Sequence, residues 1–182
     1  MVIEKTDFEG LLLIKARRFS DLRGSFYELF QQQRYVDAGV QEAFVQDNVS
    51  VSTQGTLRGL HYQWGNPQAK LVTVLWGSIF DVAVDLRESS PTFGRTFTRT
   101  LDGDAKDEVE QIKIPVGFAH GFCVVSESAA IHYKCSDVYT PSAERTIAWN
   151  DPDLAIEWPV ESPVISEKDA CGIRFCDADY FG

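Results

Sequence analysis

Short segments rich in β-branched and aromatic residues recur along this chain with turn-forming residues between them, and no other feature constrains its fold as tightly. They fall at 11–14, 25–30, 44–48, 71–76, 79–86, 93–101, 111–114, 121–125, 130–135 and 146–149. Strands this short and this closely spaced pair best as an antiparallel sandwich or barrel. Helical periodicity is confined to two brief stretches, around 31–38 and 105–109, so a doubly wound α/β arrangement is excluded. The expectation is an all-β fold with short peripheral helices. At 182 residues the chain suits one domain spanning 1–182, and its 44% hydrophobic content rules out a disordered polymer.

Charge narrows the class of partner. Lys plus Arg number 17 against 27 Asp plus Glu, a net charge of −10, which argues against nucleic acid or an anionic membrane as the main partner. Net charge does not exclude a local basic pocket, which a phosphorylated small molecule would require. The cysteines, Cys123, Cys135, Cys171 and Cys176, form no CxxC pair and no disulfide framework. Reduced thiols in a cytoplasmic protein fit this usage. The N-terminal residues carry acids where a signal peptide would be basic and apolar, and no apolar run approaches the ~20 residues of a membrane span.

The segment 79–86 has a readable face pattern. Phe80, Val82, Val84 and Leu86 share one side, and Ile79, Asp81, Ala83 and Asp85 the other. Asp81 is therefore either a strand-end residue reaching solvent or an inward carboxylate that orients a histidine. The chain has three histidines. His61 follows Gly55-Thr-Leu-Arg-Gly-Leu and precedes Lys70 and Gly77, while His120 ends Pro115-Val-Gly-Phe-Ala-His. His132, opposite in parity to its neighbour Tyr133, reads as an ordinary hydrogen-bonded histidine.

Those two segments resemble the paired signatures of the cupin jelly roll (double-stranded β-helix). In metal-binding cupins, two histidines of an HxH, a glutamate and a later histidine hold the ion. Here the HxH reads His61-Tyr62-Gln63, Lys70 replaces the glutamate, and His120 remains. An ammonium offers no lone pair and repels a cation, so this arrangement implies a site without metal, in which Lys70 supplies the positive charge instead.

A dry barrel holding such groups suits proton abstraction beside a carbonyl, which needs a base of near-neutral pKa and a cation at the enolate oxygen. His61 suits the base, and a carboxylate on its second nitrogen would fix its tautomer. Epimerisation also needs an acid on the opposite face, which Tyr133, sharing a strand face with Ile131 and Cys135, could provide. Taken singly, a strand tyrosine is ordinarily packing and a lone histidine ordinarily structural.

The motifs Asp21-Leu-Arg23-Gly-Ser-Phe-Tyr-Glu28, Phe44-Val-Gln46-Asp-Asn48, Leu57-Arg58-Gly-Leu-His61, Phe80-Asp81-Val-Ala-Val-Asp85, Gly117-Phe-Ala-His120 and Ser166-Glu-Lys-Asp169 follow one another along the chain. Together they resemble the dTDP-4-dehydrorhamnose 3,5-epimerase family, metal-free cupins that invert C3 and C5 of a dTDP-4-keto-6-deoxyglucose on the way to dTDP-L-rhamnose. The resemblance implies that His61 is the base, oriented by Asp169, that Tyr133 is the acid and that Lys70 stabilises the enolate, with no metal or other cofactor. It implies substrate contacts from Arg58 and His120, and nucleotide contacts from Gln46 and Asn48. It further implies a homodimer in which Phe19, Arg23 and Glu28 reach the partner's nucleotide. Val138 stands where the family frequently has an aromatic residue, with Tyr139 beside it. The acidic stretch from Leu101 to Gln111 reads as a solvated loop, and the aromatics of the tail after Cys171 as packing. Three alternatives stay open: an epimerase acting on one carbon only, a metal-dependent cupin enzyme, and a sugar-nucleotide binding module.

Overall fold

A computed structural model describes residues 1–182. The strands are β1 (Val2–Lys5), β2 (Leu12–Arg17), β3 (Phe19–Asp21), β4 (Gly24–Phe26), β5 (Gln46–Thr53), β6 (Leu57–Gln63), β7 (Lys70–Trp76) and β8 (Ser78–Asp85). They continue with β9 (Thr96–Asp102), β10 (Glu108–Ile114), β11 (Phe118–Val124), β12 (Ser128–Cys135) and β13 (Glu144–Thr146). The two α-helices are short, α1 (Gln32–Asp37) and α2 (Glu167–Ala170).

Two antiparallel sheets face each other, with strand orders β1-β2-β10-β7-β12-β5 and β13-β6-β11-β8-β9, and β3 and β4 form a separate hairpin. This is the cupin-type jelly roll. Alternation explains the layers. On β8, Ile79 and Ala83 point between the sheets into a cluster with Val72, Ile112, Phe118 and Phe122. Val82, Val84 and Leu86 point outward into a second cluster with Leu60, Tyr62 and Ile147, capped by Trp158, Phe175 and Phe181 of the C-terminal segment. Tail aromatics thus pack as expected and close the outer face of the five-stranded sheet. The outer face of the other sheet is partly covered by α1, whose Tyr35 is buried beside Ile14, Val40 and Leu71.

Several expectations from sequence need correction. Residues 105–109 form no helix, and the stretch from Leu101 to Gln111 is not one solvated loop: β10 begins at Glu108 and buries Val109 and Gln111. Its acids occupy the alternate positions, opposite Arg17 and Lys15 of β2, with Glu110 receiving a two-pronged hydrogen bond from Arg99. Cross-strand cations thus make a strand of a sequence that looks like a charged loop. The strand expected over 25–30 stops at Phe26, and that expected over 146–149 lies instead at Glu144–Thr146. The strand β6, which carries His61, was not among the expected strands.

Candidate active site

A cavity of about 580 Å³ opens between the sheets at one end of the barrel. Its floor is set by a defect in pairing. His61 of β6 is opposite His120 of β11, but Phe122 is opposite Arg58, so three steps on β6 match two on β11. Strict alternation would put Arg58 and His61 on opposite faces; the extra residue of this bulge turns both into the cavity. Gly59 makes it possible. It has φ +131°, and a Cβ there would sit 2.5 Å from the Gly121 Cα.

His61 Nε2 lies 2.5 Å from Asp169 Oδ1, on α2. The Asp169 amide donates to the Ser166 hydroxyl, fixing that short helix. Burial pushes the Asp169 carboxyl up, but the hydrogen bond and charge of His61 outweigh it and hold it below the ordinary value, so it is ionised at neutral pH. With Nε2–H donating to that carboxylate, Nδ1 is the basic nitrogen. A second pair lies alongside: His120 Nε2 is 2.8 Å from Asp81 Oδ2, and Asp81 is completely buried with Oδ1 unpartnered. Of the two readings of Asp81, the inward carboxylate beside a histidine is the one observed.

Facing these from the six-stranded sheet are Lys70 at the start of β7 and Ile131, Tyr133 and Cys135 on β12, while Gln46 and Asn48 extend the wall on β5. His61 and Tyr133 therefore stand on opposite walls. Burial pushes the Lys70 ammonium below its ordinary pKa against the opposing pull of Cys135, Asp81 and Glu144, and no carboxylate lies within ion-pair distance of it. Burial likewise raises the Tyr133 phenol. Arg58 donates from Nε to Ser52 Oγ at 3.2 Å. The lining holds three cationic side chains, Arg58, Lys70 and Lys168, against one carboxylate, Glu144. In a chain of net charge −10 this is a local excess of cations along the lining, with the carboxylates of Asp169 and Asp81 behind His61 and His120.

The cavity wall thus gathers His61, Lys70, Tyr133, Arg58, His120, Gln46 and Asn48, with Asp169 behind it as the partner of His61. It does not gather Phe19, Arg23 or Glu28: Phe19 and Arg23 lie on the exposed β3–β4 hairpin, where Arg23 pairs with Asp21, and Glu28 pairs with Arg34. Gln63, at the second HxH position, is occupied in holding the 138–140 loop through Val138 O and the Thr140 amide. No group of three or more His, Cys, Asp or Glu side chains has metal-ligand spacing. His132 turns away from the cavity and bonds to Asp47.

Sequence reasoning missed a cluster at the mouth. Glu144 accepts from Lys168 Nζ and from the Tyr139 hydroxyl, both at 2.8 Å. Lys168 adjoins Asp169 in the Ser166–Asp169 motif, a local signal. Glu144 has none, because it reaches the site only through the pairing of β13 with β6. Tyr139, and not Val138, lines the cavity there.

A family model described as dTDP-4-dehydrorhamnose 3,5-epimerase matches residues 5–177. The chain belongs to this epimerase family. It is 48% identical over 183 residues to the dTDP-4-dehydrorhamnose 3,5-epimerase of Shigella flexneri, covering 100% of this chain and 99% of that one. Identity to the same-named protein of Pseudomonas aeruginosa is 49% over 173 residues, covering 94% of each. Among solved structures, the dTDP-6-deoxy-D-glucose-3,5-epimerase of Legionella pneumophila, in complex with dTDP-4-keto-L-rhamnose, superposes with a TM-score of 0.92 at 47% identity, covering 98% and 94% of the two chains. Members of this family are isomerases acting on nucleotide sugars, and the arrangement of this cavity is consistent with that chemistry. No helix of the chain is long and apolar enough to cross a membrane.

Proposed function

We propose that the protein is a dTDP-4-dehydrorhamnose 3,5-epimerase that inverts C3 and C5 of dTDP-4-dehydro-6-deoxy-D-glucose in dTDP-L-rhamnose synthesis. The observation that carries this reading is the placement of a carboxylate-oriented imidazole and a phenol on opposite walls of one cavity, with an unpaired ammonium between the sheets. A C4 ketone acidifies the hydrogens on both neighbouring carbons, so one base and one enolate site can serve each in turn if the ring shifts slightly. His61 Nδ1 removes the proton, and Asp169 stabilises the imidazolium that results. Lys70 neutralises the charge developing on the C4 oxygen, and its burial strengthens that interaction. Tyr133, kept protonated by its raised pKa, delivers a proton from the other face. His120, held by Asp81, contacts the sugar. Arg58 and Lys168 meet the diphosphate, Arg58 as a planar fork, and Gln46 and Asn48 hold the nucleotide.

The same reading makes the enzyme one cytoplasmic domain acting as a homodimer without metal or cofactor, in which the partner subunit's Phe19, Arg23 and Glu28 complete the nucleotide end. Incubation with dTDP-4-keto-6-deoxyglucose in deuterated water tests it. Double epimerisation places deuterium at C3 and C5, and a His61→Asn variant that still binds dTDP places it at neither. Label at one carbon would establish a single-carbon epimerase, and unlabelled product would refute the proton-transfer reading.

A further inference from the structure

The strand that carries the nucleotide contacts is an edge. Within the chain β5 pairs with β12 alone, and beyond that ladder Gln46 and Asn48 have one tether each, the Tyr139 amide donating to Gln46 Oε1 at 2.8 Å and Asn48 Nδ2 donating to Cys135 Sγ at 3.6 Å. Their outward-facing neighbours form a polar cluster on the back of the sheet. Asp47 Oδ1 accepts from Lys134 Nζ at 2.6 Å and from His132 Nε2 at 2.9 Å. Lys134 is directly opposite Asp47 in the ladder, and His132 is opposite Val49, so one carboxylate oxygen ties β5 to two positions of its neighbour. The His132 side chain is only 13% exposed, and its Nδ1 is buried with no partner. Its ring therefore makes a single polar contact, the one to Asp47.

From this geometry, and resting on the epimerase reading above, we infer that Asp47, His132 and Lys134 are positioning residues that set the nucleotide end of the cavity. The two strands are held asymmetrically. β12 lies between β7 and β5 and keeps Tyr133 in place through the β7 ladder whether or not the clamp exists. β5 has no second strand neighbour in its own chain, and Asp47 is flanked by Gln46 and Asn48. Loss of the clamp loosens the strand that carries the two amides, leaving them the tethers to Tyr139 and Cys135, and keeps the proton donor where it was. Binding is weakened and the chemical step is not.

The test compares wild type, Asp47→Ala and Asp47→Asn for steady-state kinetics and for calorimetric binding of dTDP alone. For Asp47→Ala, KM and the dTDP Kd rise by about two- to five-fold, the range open to a half-exposed ion pair, while kcat stays within about two-fold of wild type. Asp47→Asn, which keeps an acceptor oxygen, falls between the two. Should Asp47→Ala not fold, Lys134→Gln carries the same expectation. Unchanged dTDP affinity in these variants, or a fall in kcat with KM unaltered, would overturn the positioning role. Failure of wild type itself to bind dTDP would instead refute the epimerase reading.

Discussion

In the proposed mechanism Lys70 carries most of the electrostatic burden at the level of single residues, because it would have to be charged in a place that disfavours charge. Burial lowers its pKa, whereas burial raises that of Tyr133. Both groups act in their protonated forms in this mechanism, and burial moves the loss of the Lys70 proton toward neutral pH and that of the Tyr133 proton away from it. Activity is therefore expected to decline on the alkaline side as Lys70 loses its proton. A kcat–pH profile checks this: Lys70→Arg, which stays charged, should lose that alkaline limb whatever its absolute rate. Lys70→Met should lower kcat by roughly 10²–10³, the scale for removing a donor to a developing oxyanion. At this scale much of the site was readable in sequence. His61, Lys70 and His120 announce themselves through fixed spacing to glycines, and an ammonium at a ligand position carries its own chemical argument. Glu144 does not, because its role depends on which strand pairs with β6.

Among the elements, the bulge of β6 does the positioning. Two cavity residues an odd number of places apart on one strand require an extra residue, and Gly59 tolerates both the φ and the contact with β11. Gly59→Ala should push β6 from β11, costing about 1–3 kcal/mol in chemical denaturation as an overpacked contact does. It should also lower kcat/KM at least tenfold, since His61 moves with the strand. Wild-type activity in a stable Gly59→Ala protein would remove the bulge from the account. Sequence patterning found the long, clean strands such as β8, where alternation splits apolar residues between two cores. It misread β10, whose acids are neutralised by cations of other strands, and it passed over β6, where the bulge breaks the period of two. Both failures arise from tertiary partners that local pattern does not contain.

For the whole molecule, the unfinished part of the site is the exposed β3–β4 hairpin, where Phe19, Leu22 and Phe26 lie open to solvent. If the partner subunit's Arg23 completes each nucleotide site, base and arginine can be separated onto different subunits. An equal mixture of His61→Ala and Arg23→Ala chains refolded together should recover about a quarter of wild-type activity, because half the dimers are mixed and each has one of its two sites intact. No recovery on co-refolding would place Arg23 in the site of its own chain. In the proposed mechanism the two protons travel on opposite walls, and the stereochemistry of exchange in Tyr133→Phe reports on this. With His61 intact and the phenol gone, the prediction is deuterium entering C3 with retained configuration, while inversion falls by about 10²–10⁴. Inversion continuing at the wild-type rate, or no deuterium entering at all, would contradict it.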